Sequence, residues 1–125
     1  MRPCEEERIA SELSISRDEL RRRFETKRWR FPSLRERDGG RCIMNGHDNR
    51  CRIYRCRPIE CRTWPFWPEL LESPESWDRA ARHCPGMNSG TLWTPSQIAA
   101  VLKAHEDYVK KLSAEWSGEW NKEGY

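Results

Sequence analysis

Six cysteines occur in the chain, and five of them, Cys42, Cys51, Cys56, Cys61 and Cys84, follow one another with gaps of eight, four, four and twenty-two residues. Thiolates gathered at one place repel one another. A divalent metal or an iron–sulfur cluster removes that cost by accepting electron density from all of them. Arg50, Arg52, Arg55, Arg57 and Arg62 surround these cysteines and favour the thiolate form. All-thiolate ligation suits Zn²⁺ and iron–sulfur clusters, and poorly suits Mg²⁺ or Ca²⁺. The run contains no C-x-x-C knuckle, so spacing alone leaves two other readings open. One is reduced cysteines packed in a small core, and the other is disulfides in an exported domain.

The elements that must position this chemistry are built from little apolar material. Of 125 residues, 36% are hydrophobic and 34% charged, which sets a modest core against the entropy of ordering the backbone. Seven tryptophans and the cysteines are the candidates for making up the difference. A formal net charge of +3, with 23 basic against 20 acidic residues, does not by itself call for nucleic acid. No apolar run approaches the roughly 20 residues of a membrane span, and MRPCEEERIA lacks the apolar stretch of a signal peptide. The expected address is therefore the cytoplasm, where clustered cysteines are metal ligands or redox groups more often than disulfides.

Residues 5–13 have acidic groups first, then Ile9 and Leu13 four apart, as in a short helix. Ser16 and Glu19 form a capping box for a second helix carrying Leu20 and Phe24, which is expected to fray near Pro32. Eight Lys or Arg residues lie between Arg21 and Arg37, interrupted by acids, and read as a solvated face. After Gly39-Gly40, the segments RCIM and CRIY flank NGHDNR, so Cys42 to Tyr54 read as a β-hairpin turning on Asn45-Gly46. Three prolines between Arg57 and Pro68 predict a rigid irregular loop rather than a helix or central strand. Ser73 and Pro74 start another helix, and Pro85-Gly86 follow its end. Thr94, Pro95 and Gln97 cap a longer one, with Ile98, Val101, Leu102, His105, Tyr108, Val109, Leu112 and Trp116 on one stripe. That stripe packs on the body of the domain or receives a protein partner.

The expected fold is thus α+β, mainly α: a small, irregular, metal-stapled domain with a short β-hairpin and a C-terminal amphipathic helix. A single domain would cover residues 1–117, comprising helices at 5–31, a cysteine-rich hairpin and loop at 39–86, and the helix at 95–117. Residues 118–125 read as a tail.

The stretch from Gly39 to Gly90 resembles the CxxCxxCC (YkgJ-like) family of zinc- or iron-chelating proteins. Cys51, Ile53, Tyr54, Arg57, Pro58, Cys61, Arg62, Pro65 and Phe66 fit that family's pattern in order and spacing, as do Cys84, Pro85 and Gly86. With the preceding helices, which are similar to the family's helical insert, the resemblance covers roughly residues 5–100. It implies Cys42, Cys51, Cys61 and Cys84 as metal ligands, with Cys56 as a spare thiol or extra ligand. It also implies that Arg57, Pro58 and Arg62 support the ligands without touching the ion. His47 and His83 adjoin these positions but match no histidine of the family, and turn or surface roles are expected. The family takes its name from an N-terminal block of four cysteines, whereas this chain has only Cys4 there.

The leading expectation is a protein that chelates zinc or iron, in the latter case including an iron–sulfur cluster. The family's cysteine pattern is also similar to one in flagellin lysine methylases, which implies an accessory or catalytic part in a cluster-dependent protein-modifying enzyme. The chain has no glycine-rich cofactor loop, no H-E-x-x-H and no G-x-S-x-G, so catalysis by it alone is not expected. A third reading is a nucleic-acid-binding module with Trp29, Trp64 and Trp67 as stacking surfaces. The better expectation for Trp64 and Trp67 is that they cover the metal site.

Overall fold

The computed structural model describes residues 1–28 and 31–116; Trp29, residue 117 and the tail at 118–125 lie outside them. The described chain is a mainly helical α+β arrangement with one two-stranded antiparallel hairpin and a long C-terminal helix. It divides into two compact units, one formed by Met1–Pro58 with the chain from Lys110 onward, the other by Ile59–Val109.

In the first unit, α1 (Pro3–Glu12) starts with proline at its first position, where the missing N–H is not needed. The Arg2 N–H donates to Glu5 Oε1 at 2.9 Å, tying down the entry to the helix. Helix α2 (Arg17–Phe24) is capped by Ser16, whose hydroxyl accepts from the Glu19 N–H at 3.1 Å. Ile9, Ala10, Leu20 and Phe24 from these helices form a buried cluster with Met1, Met44 and Ile53. Each large side chain in it contributes about 1.5–3 kcal/mol relative to exposure.

Helix α2 ends at Phe24, eight residues short of the expected fraying point at Pro32. The chain turns into β1 (Glu25–Arg28), which pairs with β2 (Phe31–Leu34) so that Lys27 faces Pro32. Two interactions with partners distant in sequence explain the early stop. Arg35 takes three carbonyls at the helix end: its N–H donates to Phe24 O (2.8 Å), its Nε to Glu25 O (2.6 Å) and its Nη2 to Arg22 O (3.0 Å). Glu25, extended at φ −106° and ψ 154°, sends its carboxyl inward beside Glu6. A two-stranded sheet also tolerates Pro32, because both of its strands are edges.

Glu6 lies on the buried stripe of α1, at i, i+3, i+4 and i+7 with Ile9, Ala10 and Leu13, and its side chain is 0% exposed. Arg17 and Arg21, one turn apart on α2, both reach it. Arg17 donates Nε and Nη2 to Glu6 Oε1 at 2.9 and 2.7 Å. Arg21 donates Nε to Oε2 at 3.1 Å and Nη2 to Oε1 at 3.2 Å. Burial opposes ionisation of Glu6, but hydrogen bonds from Arg21, Glu25 and Arg17 outweigh it and hold the carboxyl below its usual range. Burial acts the other way on Glu25: together with its hydrogen bond to Glu6 and the charge there, it pushes this carboxyl up to about 9. Among the described residues neither Glu25 oxygen has a donor, as suits a carboxyl that stays neutral beside the Glu6 charge.

Arg21 also lies over the Trp116 ring, 5.5 Å from its centroid, and Trp116 Nε1 donates to Met1 O at 2.6 Å. Arg2 and Glu115 form a two-pronged ion pair beside them.

The second unit contains three short or medium helices, α3 (Ile59–Thr63), α4 (Pro68–Leu71) and α5 (Pro74–Ala81), and most of α6 (Pro95–Trp116). The prolines expected to exclude helix between Arg57 and Pro68 instead punctuate it: Pro58 immediately precedes α3, and Pro68 occupies the first position of α4. Trp64-Pro65, between the two helices, is joined by a cis peptide. The expected caps are in place. The Ser73 hydroxyl accepts from the Ser76 N–H at 3.1 Å, and Thr94 and Gln97 cap α6 reciprocally at 2.9 and 3.2 Å.

Glu25 retains its proton in the folded state and loses it near pH 4.5 when unfolded. Its contribution is therefore complete below that value and declines as pH rises toward 9, at up to about 1.4 kcal/mol per pH unit. Glu25→Gln should flatten this decline and make the protein more stable than wild type at pH 8, as measured by urea unfolding followed by circular dichroism at pH 5 and pH 8. Equal pH slopes in the two proteins would contradict the assignment.

Candidate metal centre

Cys42, Cys51 and Cys56 stand on the chain that follows β2. Residues 35–37 run antiparallel to 41–43, with Glu36 bridged to Cys42, around a turn that needs Gly39 and Gly40 at φ +88° and +82°. The chain then folds back once more, with Asn45 bridged to Cys51 and the Arg52 N–H donating to Met44 O at 2.8 Å. The hairpin expected from Cys42 to Tyr54 is thus reduced to isolated bridges, and the strand pair lies at 25–34 instead. Asn45-Gly46 does not supply the left-handed residue of the turn either. That residue is Asn49, at φ +64°. Gly46 matters for space, since a Cβ there would meet Asp48 Oδ1 at 3.0 Å and Arg50 O at 3.4 Å. Arg37 braces the arrangement by donating to the carbonyls of Asn45 (3.0 Å) and Ile43 (3.1 Å).

None of the six cysteines is in a disulfide. Cys42 is exposed, whereas Cys51 and Cys56 are half-buried against the apolar cluster of the first unit. Burial, then the nearby Glu12 and Cys51, pushes the Cys56 thiol up, which keeps it protonated. Cys4 is half-buried within the first turn of α1. In the second unit Cys61 is exposed on α3, and Cys84 is half-buried just after α5. Among the described residues no three His, Cys, Asp or Glu side chains are grouped so as to hold an ion. His47 and His83 are both exposed.

Of the residues expected to support the ligands, Arg57 has the clearest task. Its Nε donates to Tyr54 O at 3.1 Å, and its guanidinium covers the Tyr54 ring at 3.9 Å, fixing the 3-10 turn Tyr54–Cys56 that carries Cys56. Pro58 is buried, and Arg62 is exposed on α3 beside Cys61.

Trp67 takes part in a polar cluster with Thr63 and His105. Its Nε1 donates to Glu60 O (3.1 Å) and Thr63 Oγ1 (3.0 Å), while its ring stacks on His105 with centroids 6.0 Å apart. Thr63 Oγ1 lies 3.2 Å from His105 Nδ1. Trp64 meets Trp67 edge-on and lines an apolar groove of about 680 Å³ with Phe66, Trp77 and Trp93. A histidine inside the apolar stripe of α6 was the available sign that His105 must have a polar partner. Nothing local singled out Thr63.

Thr63→Val keeps the shape but leaves His105 Nδ1 without its hydroxyl partner. The expected cost is about 1–3 kcal/mol, the range for a buried polar group left unsatisfied. A thermal melt read at the tryptophans should show the loss, and an unchanged midpoint would dismiss the cluster as an anchor. In comparisons with known proteins, no family model and no solved structure matches the chain.

Proposed function

We propose that the protein chelates zinc or iron through cysteine thiolates, with Cys42, Cys51, Cys61 and Cys84 as ligands. The observation that carries the reading is the order and spacing of these four cysteines in a segment crowded with arginines. Cys56, between two of them, is set apart by its burial and by Glu12, which push its thiol up. The resemblance of Gly39 to Gly90 to the CxxCxxCC family supports the same four ligands. Their donor chemistry suits Zn²⁺, or iron as an iron–sulfur cluster, and a filled four-thiolate zinc site has no open position for substrate. In a chain with so small an apolar cluster, metal-binding free energy would appear as folding free energy.

Metal analysis of protein purified without oxygen tests the reading. Cys61→Ser should lose the bound metal and part of the tertiary structure together, whereas Cys56→Ser should keep both. A visible charge-transfer band would mark iron, and a colourless protein with stoichiometric metal would mark zinc. Equal loss in the two variants, or wild-type protein that binds neither metal, would sink the assignment.

A further inference from the structure

A cleft of about 710 Å³ opens beside α2 and the hairpin, lined by Asp18, Arg21, Arg22, Glu25, Thr26, Lys27 and Arg35. It contains no cysteine and is independent of the metal reading. Among the described residues, Arg22, Lys27 and Arg35 bring three cations to it, beside Arg21, whose guanidinium is bonded to Glu6, and Asp18 brings one surface carboxylate. The other acid, Glu25, is 1% exposed and packed against Glu6, and two adjoining buried carboxyls cannot both ionise.

The end of a helix ordinarily repels anions, because its last carbonyls point outward. Here that obstacle is removed. Arg35 occupies the carbonyls of Phe24, Glu25 and Arg22 with its own N–H, Nε and Nη2 respectively. The same bonds fix the plane of its guanidinium at the cleft wall, so less entropy is lost when it engages a ligand. Arg22, one position after Arg21, is exposed at the same wall.

We infer that this cleft binds a multiply charged phosphoryl anion, with Arg22, Lys27 and Arg35 as its contacts. Tetrahedral oxyanions match the planar donor fork of arginine, and an excess of cations calls for more than one negative charge. The site is open to solvent, so it admits an oligophosphate, a nucleotide or a short run of nucleic-acid backbone.

Calorimetric titration with tripolyphosphate at low salt tests the site. Saturable binding is expected that weakens steeply as salt is added. The double variant Arg22→Gln/Lys27→Gln should bind roughly tenfold or more weakly, given the loss of two charge-assisted contacts. Both side chains are exposed, so its circular dichroism should match that of wild type. Arg35→Gln is a poorer probe, because it also uncaps α2. Arg55→Gln, exposed and outside the cleft, should leave affinity unchanged. No saturable binding, binding undiminished in the double variant, or equal weakening by Arg55→Gln would overturn the inference. Competition by a short oligothymidylate would identify nucleic-acid backbone as the source of the phosphoryl groups, and retained tripolyphosphate binding without competition would identify a soluble phosphate ester.

Discussion

Glu6 is the charge around which the first unit is organised. A carboxylate with no solvent exposure is tolerable only when its lone pairs are filled, and this one receives both nitrogens of the Arg17 fork and two from Arg21. The two helices are thereby locked at one rotation about their axes, because Arg17 and Arg21 present the same face one turn apart. Arg21 carries the constraint further, lying over Trp116, whose indole N–H holds the Met1 carbonyl. Glu25 joins the assembly as a neutral acid, so that the buried pair of carboxyls bears a single negative charge between two guanidiniums. The apolar cluster of Ile9, Leu20, Phe24, Met44 and Ile53 is small. It gains definition from packing against a polar group that admits few alternative arrangements.

Arginine does a second kind of work in this chain. Arg35, Arg37 and Arg57 direct their guanidiniums at backbone carbonyls, at the end of α2, in the loop after Cys42 and at the Tyr54 turn. Irregular backbone leaves carbonyls unpaired, and a rigid fork can satisfy two at once. This explains how so polar a segment holds a fixed course between β2 and α3 with only isolated β-bridges. It also recasts a basic composition that reads in sequence as a solvated face, since several of these cations are structural members.

Local signals were legible and distant ones were not. Ser16, Ser73 and the Thr94–Gln97 pair each announce a helix start through a hydrogen bond spanning three residues, and all three caps form. Glu6 was also readable in retrospect, because it occupies a stripe position with Ile9, Ala10 and Leu13. The placement of the hairpin was not. It depends on Glu25 finding Glu6 and on Arg35 finding the end of α2, pairings separated by many residues that no period or propensity encodes. Asn45-Gly46 pointed to the right turn but to the wrong residue for its left-handed position, since spacing against Asp48 and Arg50 decides the role of Gly46. For the cysteines, order and spacing identify candidate ligands, but local pattern does not fix how near the thiols stand to one another.

The described tryptophans are unevenly distributed between the two units. Of those described, Trp64, Trp67, Trp77 and Trp93 belong to Ile59–Val109, and Trp116 alone to the other unit. Trp64 and Trp67 lie edge to face at 4.8 Å, close enough for their excited states to mix. Four of the seven tryptophans therefore report on Ile59–Val109. Among the described tryptophans, Trp116 is the optical witness of the ionic heart built on Glu6, so a change in total emission does not by itself say which unit has melted.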